Sequence, residues 1–328
     1  METLKKVLKM LAMVVVLLIV VIVTFVQLSW DKKFEAPLPE IKASLNLDVI
    51  ARGKYLAYGP AHCGTCHVPM DKMMEVENGL DMPLIGGWEL KIPPGTFRAP
   101  NLTPDPETGI GNMSDGQLAR AMRFSVNHND GCVFPFMPFQ ELSDEDLTAV
   151  ISFLRSQEPV KNEIKPSELS FLGKALMAFG VIKPEYPKKT PAKKVVKAST
   201  VESGEYLANS VANCVGCHTE RDMKSGAFIG KPFAGGMFFA EEPWSEGKSY
   251  LSPNLTPDPE TGVMAHWTEE TFIARFHAGY GFISPMPWGS FSRIDDIELK
   301  AIFLYLKSLE PVSRKVEKTV YHAGEPLP

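Results

Sequence analysis

CGTCH at Cys63–His67 and CVGCH at Cys214–His218 use four of the five cysteines in this 328-residue chain. The two pentapeptides do not stand alone. RGKYLA at 52–57 returns as SGEYLA at 203–208, and NLTPDPETG at 101–109 returns unchanged at 254–262. FPFMPF at 134–139 corresponds to ISPMPW at 283–288, and AVISFLRSQEPV at 149–160 to AIFLYLKSLEPV at 301–312. The chain therefore contains one unit twice, with a period of roughly 150 residues, and the Cys-x-x-Cys-His pairs keep step with it.

Residues three apart on a helical turn lie on the same side. Two thiols so placed can add to the two vinyl groups along one edge of a haem, and the next residue, His, can bring a ring nitrogen to the iron. The spacing is a specific signal for c-type haem attachment. Cys63 and Cys66 are thus expected to hold one haem, with His67 on its iron. Cys214, Cys217 and His218 are expected to hold a second. A disulfide framework, common in exported chains, leaves both histidines unexplained. Zinc needs further ligands, and the remaining histidines are not arranged to complete two sites.

An iron with one proximal His has a sixth position, and a methionine sulfur there raises the potential relative to two nitrogen ligands. Met137, between Pro135 and Pro138, and Met286, between Pro285 and Pro287, are the expected sixth ligands. Methionine is also ordinary core filling; equivalent placement between prolines singles out this pair among 15 methionines. The rival ligands are His128 and His277, equivalent in the repeat, whose other reading is a bond to loop backbone or to a haem propionate. Cys132, matched by Gly281, reads as a small buried residue, with an axial thiolate as the alternative. His62 is matched by Asn213 and reads as incidental. The NLTPDPETG loop is expected against the haem edge, where Asn101, a threonine or Arg98 would bond propionates.

The stretch from Met10 to Leu28, MLAMVVVLLIVVIVTFVQL, carries no charge. As a helix it would rise about 28 Å, close to the ~30 Å hydrocarbon core of a bilayer. Lys5, Lys6 and Lys9 precede it, which favours an N-in orientation, and Trp30 follows at the far interface. A cleaved signal peptide is the alternative, but the exit VQLSWDKK lacks an Ala-x-Ala pattern. In either case the chain beyond about residue 31 is exported. In a bacterium that is the periplasmic side of the inner membrane. A formal net charge of −5 gives no electrostatic reason to expect nucleic-acid binding.

The expected division is an anchor at 1–30, a first domain at 46–160, a linker at 161–199 and a second domain at 200–315. Within each repeat the elements read as helical. One helix carries Tyr55 or Tyr206, one begins near Ser114 or Thr268, and one begins at Ser143 or Asp295. No alternating run argues for a sheet. In the connection, FLGKALMAFGVI at 171–182 reads as a helix packed on a domain, resting on the membrane surface, or simply connecting. KPEYPKKTPAKK at 183–194 reads as extended linker.

With CxxCH, NLTPDPETGIG, a Pro-flanked Met and a closing LSDEDLTAVISFLRS helix, each repeat resembles a particular group. These are the multihaem cytochrome c subunits of membrane-bound dehydrogenases acting on alcohols, aldehydes and gluconate. The resemblance covers most of 46–315. It implies an all-α fold of class I-like cytochrome c domains; with the apolar N-terminal stretch and the two CxxCH motifs, the expectation is two tandem domains after one N-terminal transmembrane helix, two covalently bound haem c groups and no catalytic residues. Electrons would pass between a dehydrogenase or quinol-oxidising partner and a downstream acceptor or terminal oxidase. Many such subunits carry three haem sites and begin with a cleaved signal, which this chain does not match. An anchor followed by two c-type domains also looks like the dihaem subunit of a cbb3-type oxidase. A dihaem peroxidase is the enzymatic alternative; it needs a displaceable sixth ligand, whereas both repeats offer a methionine.

Overall fold

The structure is a computed structural model and describes residues 1–222, 226–242, 245–279 and 284–327. Gly281, the counterpart of Cys132, lies outside the described residues, as does Ile283 of ISPMPW. Glu2–Ser29 forms one helix. Its most apolar window has a mean hydropathy of 3.1, and among the described residues it alone is long and apolar enough to cross a membrane. Val26 is its one buried residue.

Each repeat opens and closes on a helix, and the two helices cross. In the first repeat Leu47–Tyr58 starts at Asn46, whose side chain accepts from the Asp48 N–H. It packs on Asp144–Ser156, capped by Ser143. In the second, Val201–Tyr206 packs on Asp296–Ser308, capped by Thr200 and Asp295 respectively. Both crossings are made at a glycine. A Cβ on Gly53 would overlap the Ala149 carbonyl, and one on Gly204 would overlap the equivalent Ala301 carbonyl. These are backbone atoms, so the helices themselves would have to separate. Gly53→Ala is expected to cost about 3 kcal/mol, the upper end for overpacking a core, measured by denaturant unfolding of the holoprotein.

Between the crossing helices lie Asp115–Phe124 and Glu269–His277. The first starts with a capping box of Ser114 and Gln117, the second with one of Thr268 and Thr271.

The chain is mostly helical, but not all-α as expected. Glu89–Ile92, Gly95–Arg98 and Glu168–Leu169 form a three-stranded antiparallel sheet; Phe238–Phe239, Ser249–Leu251 and Val320–Tyr321 form another. Strands of two to four residues are too short for a period-two pattern to show. The third strand of each sheet also comes from beyond its repeat's closing helix.

One connected apolar core runs through both repeats. Where they meet, the contacts are reciprocal. Tyr55 donates to Glu298 at 2.5 Å and accepts from the Asp295 N–H at 3.2 Å, so a side chain of the first repeat dresses the start of the second repeat's closing helix. Tyr206 donates to Asp146 at 2.8 Å and accepts from the Ser143 N–H at 3.0 Å, the same arrangement in reverse. Arg52 lies between them, with Nε 2.9 Å from Asp146 and Nη1 2.6 Å from Glu298. The 183–194 segment forms no helix or strand and is docked on the first repeat. The Ala192 and Lys193 carbonyls accept from the Asp144 and Glu145 N–H groups at the start of the first closing helix.

Candidate haem-attachment sites

Cys63–Cys66 and Cys214–Cys217 are each a single helical turn. The residue before each turn, His62 or Asn213, has left-handed backbone, with φ of 40° and 52°. That conformation is uncommon outside glycine, though Asn and His adopt it more readily than most residues. His62 is therefore not incidental. It shares a backbone role with Asn213, and its ring stands edge-on to Phe291 of the second repeat, 5.5 Å between centroids. Each turn closes on its histidine: the His67 N–H reaches the Cys63 carbonyl at 2.9 Å, and the His218 N–H reaches that of Cys214 at 2.8 Å.

None of the four motif cysteines is in a disulfide. Burial pushes the Cys63, Cys66 and Cys214 thiols up to about 12. Among the described residues no three His, Cys, Asp or Glu side chains converge as a metal-binding group, so a zinc site lacks its further donors.

The histidines carry the most informative geometry. His67 Nδ1 lies 3.0 Å from the Pro100 carbonyl oxygen, and His218 Nδ1 lies 3.0 Å from that of Pro253. A carbonyl only accepts, so the proton is on Nδ1 and the Nε2 lone pair is left for a metal. Burial lowers the pKa of both rings, the proline carbonyls only partly offsetting it, which keeps them neutral. A neutral, oriented imidazole beside a pair of thiols three residues apart is the donor set that a covalently held haem requires.

Pro100 and Pro253 immediately precede the repeated NLTPDPETG loops, and this corrects the expectation for those loops. Asn101 is buried and fully used. Its Nδ2 donates to the Val160 carbonyl (2.8 Å) and Thr108 Oγ1 (3.2 Å), while its Oδ1 accepts from the Thr103 N–H and hydroxyl. Asn254 repeats the pattern with Val312, Thr261 and Thr256. An amide with two donors and two acceptor sites taken has none left for a propionate. Arg98 is likewise engaged, by Glu89, Glu168 and the Pro166 carbonyl. The loop is a clasp: it ties the chain after the closing helix to the segment that presents the proline carbonyl to the histidine. A proline precedes the loop in both repeats, PNLT at 100–103 and at 253–256, and that repeated proline is the signal the sequence carries.

Met137 and Met286 sit in loops ahead of their closing helices. Both pack against the apolar core that also takes in Cys63 and Cys214. The Met137 carbonyl accepts from Gln140 Nε2 at 3.2 Å, and the Met286 N–H donates to Ser284 Oγ at 3.1 Å. The rivals are placed differently. His128 is exposed on a turn. His277 has both ring nitrogens occupied, Nδ1 by the Ser292 carbonyl and Nε2 by Asp296 at 2.7 Å. The Cys132 thiol donates to the Val133 carbonyl at 3.3 Å, and burial raises its pKa to about 12, against a thiolate role.

Glu77 was not singled out in the sequence. Its carboxylate accepts from Thr65 Oγ1 (3.0 Å), inside the first CxxCH turn, and from the Ser290 hydroxyl (2.8 Å) and Gly289 N–H (2.8 Å), just after Met286. One carboxylate thus joins the cysteine turn of one repeat to the methionine loop of the other. A lone Glu 10 positions after a CxxCH carries no sequence signal, because its partners in the second repeat lie more than 200 residues away.

No protein-family model matches the chain. Individual proteins do. It is 28% identical over 277 residues to the cytochrome c subunit of a quinone-type alcohol dehydrogenase from Gluconobacter oxydans, covering 80% of this chain and 55% of that protein. It is 28% identical over 278 residues to the cytochrome c subunit of a gluconate 2-dehydrogenase from Pantoea cypripedii, covering 80% and 59%. It is 26% identical over 280 residues to a diheme cytochrome c-type protein of Cereibacter sphaeroides, covering 84% and 90%. The resemblance read from the motifs holds over most of the chain: the proteins it matches are cytochrome c subunits of dehydrogenases and a diheme cytochrome c. The chain spans little more than half the length of these dehydrogenase cytochromes.

Proposed function

We propose that the chain is a membrane-anchored dihaem cytochrome c organised as two tandem cytochrome domains, 46–160 and 200–315. It would carry electrons between a dehydrogenase or quinol-oxidising partner and a downstream acceptor or oxidase on the periplasmic face of a bacterial inner membrane. The single observation that carries this reading is the twice-built histidine, Nδ1 at 3.0 Å from a proline carbonyl and one residue beyond a pair of cysteines on one turn.

Each residue has a role in it. Cys63 and Cys66, and Cys214 and Cys217, would form the thioethers to a haem. His67 and His218 would ligate through Nε2, held in the right tautomer by the Pro100 and Pro253 carbonyls. Met137 and Met286 would supply the other protein ligand, the prolines beside them restricting how far each sulfur can withdraw. A haem so held would supply one-electron redox chemistry. No side chain is then needed for acid, base or nucleophilic chemistry, and a partner holds the substrate site. Domain contacts at Arg52, Tyr55, Tyr206 and Glu77 fix one haem domain relative to the other, which suits a relay of two centres.

The test is purification of the full chain from native membranes in mild detergent, with a haem stain on a denaturing gel and identification of what accompanies it. A covalent haem signal with a dehydrogenase catalytic subunit supports an electron collector; the same signal with an oxidase core supports the delivery end. A chain without covalent haem refutes the proposal.

A further inference from the structure

We infer that the helix Phe171–Ala178 and the turn after it lie in the outer-leaflet interface of the bilayer, as a second membrane contact beside the spanning helix. This rests on the proposed anchoring of Glu2–Ser29. The helix packs against the exit end of the spanning helix. The Phe179 ring meets the Phe25 ring at 5.3 Å. Phe25 lies 16 residues beyond Lys9, so about 24 Å along the axis at 1.5 Å per residue. With Lys9 at the inner boundary of a hydrocarbon layer ~30 Å thick, that level is still inside the membrane. A side chain beside Phe25 therefore shares its depth.

The segment suits that depth. Phe171, Leu172, Phe179 and Val181 each leave about half or more of their surface uncovered by protein, an exposed apolar group of the kind that marks an interaction site. Lys174, its one charge, places its ammonium 5.0 Å from the centre of the Trp30 ring, the residue expected at the interface. Lys32 Nζ donates at 2.6 Å to the Ala178 carbonyl, one of the helix-end carbonyls that lipid could not satisfy. Exposed Lys183 follows directly, and exposed Lys188 and Lys189 a few residues on, so the apolar stretch ends in charge. The segment is also fixed to the first repeat. The Ser170 hydroxyl donates to the Pro93 carbonyl at 2.7 Å, and its N–H to that of Pro94 at 2.9 Å, at the tip of the Glu89–Arg98 hairpin. Seating the segment in lipid would therefore set the tilt of the first haem domain instead of leaving it to swing on a tether.

The experiment uses full-length chain in a Cys132→Ser background, reconstituted into vesicles of phosphatidylcholine and phosphatidylglycerol at a 3:1 ratio. Nitroxide labels are placed singly at Phe171→Cys, Val181→Cys, Val15→Cys in the spanning helix and Val196→Cys in the exposed linker; covalent haem content confirms folding. Collision rates with oxygen and with a water-soluble nickel chelate report depth. The expected result is an oxygen-to-nickel ratio at 171 and 181 several-fold above that at 196 and approaching that at 15. Labels at 171 and 181 matching 196 while 15 stays lipid-exposed would overturn this inference alone. A water-exposed label at 15 would overturn the anchoring reading and this inference with it.

Discussion

A chain carrying Cys63→Ala and Cys66→Ala is expected to hold half the covalent haem of the wild type, the remainder on the second repeat. Cys214→Ala with Cys217→Ala should give the mirror result, and the quadruple variant should hold none. Each pair sits on its own helical turn, and its histidine takes its orienting carbonyl from its own repeat, so neither attachment depends on the other's thiols. Haem per chain by alkaline pyridine spectrum, with a haem stain of fragments cut in the linker, checks both the count and the location. Equal loss from both fragments would mean that the repeats attach as one unit, contrary to this account. Stability should fall too, because Cys63 packs against an apolar core shared by both repeats, and losing a ring that fills such a core removes buried apolar area at about 25 cal/mol per Å².

Arg52→Ala is expected to destabilise the folded chain by about 3–5 kcal/mol, the range for removing one partner of a buried ion pair. The Arg52 side chain is a quarter exposed, but its partners are not: Asp146 is 8% and Glu298 2% exposed at the side chain. Burial alone would lower the Arg52 pKa, and the two carboxylates more than reverse it, holding the guanidinium charged. Without it, among the described residues, the side chains left to donate to the two carboxylates are the hydroxyls of Tyr55 and Tyr206. Arg52→Lys should recover only part of the loss, since a single ammonium does not present the forked donors that now reach both acids. Denaturant unfolding of the holoprotein gives the magnitude. Proteolysis at the linker tells whether the seam opens before the repeats unfold. A change below about 1 kcal/mol, the scale of a surface pair, would show that the seam is wetter than this packing describes.

The cysteine turns of the candidate site were legible in the residues. The CxxCH spacing and the histidine after each are local patterns, and local patterns survive in a linear string. The expected caps at Ser114, Ser143, Thr268 and Asp295 are present for the same reason, since a cap involves residues two or three apart. The propionate role given to Asn101 and Arg98 did not survive, because a side chain's free hydrogen-bonding capacity depends on partners such as Val160 and Glu168 that its neighbours in sequence do not reveal.

By itself, then, the sequence determined the duplication, the two cysteine turns with their histidines and the long apolar helix, all set by spacing over a few residues or by identity between the repeats. Only the tertiary structure decided which carbonyl orients each histidine and that Tyr55 and Tyr206 cross over to cap each other's closing helices. It alone showed Glu77 joining the first cysteine turn to the second methionine loop, and the short sheets with strands from beyond the closing helices. The histidine–carbonyl, tyrosine–carboxylate and Glu77–Gly289 contacts join groups 33 to 243 positions apart, and separations of that size leave no local pattern in the sequence.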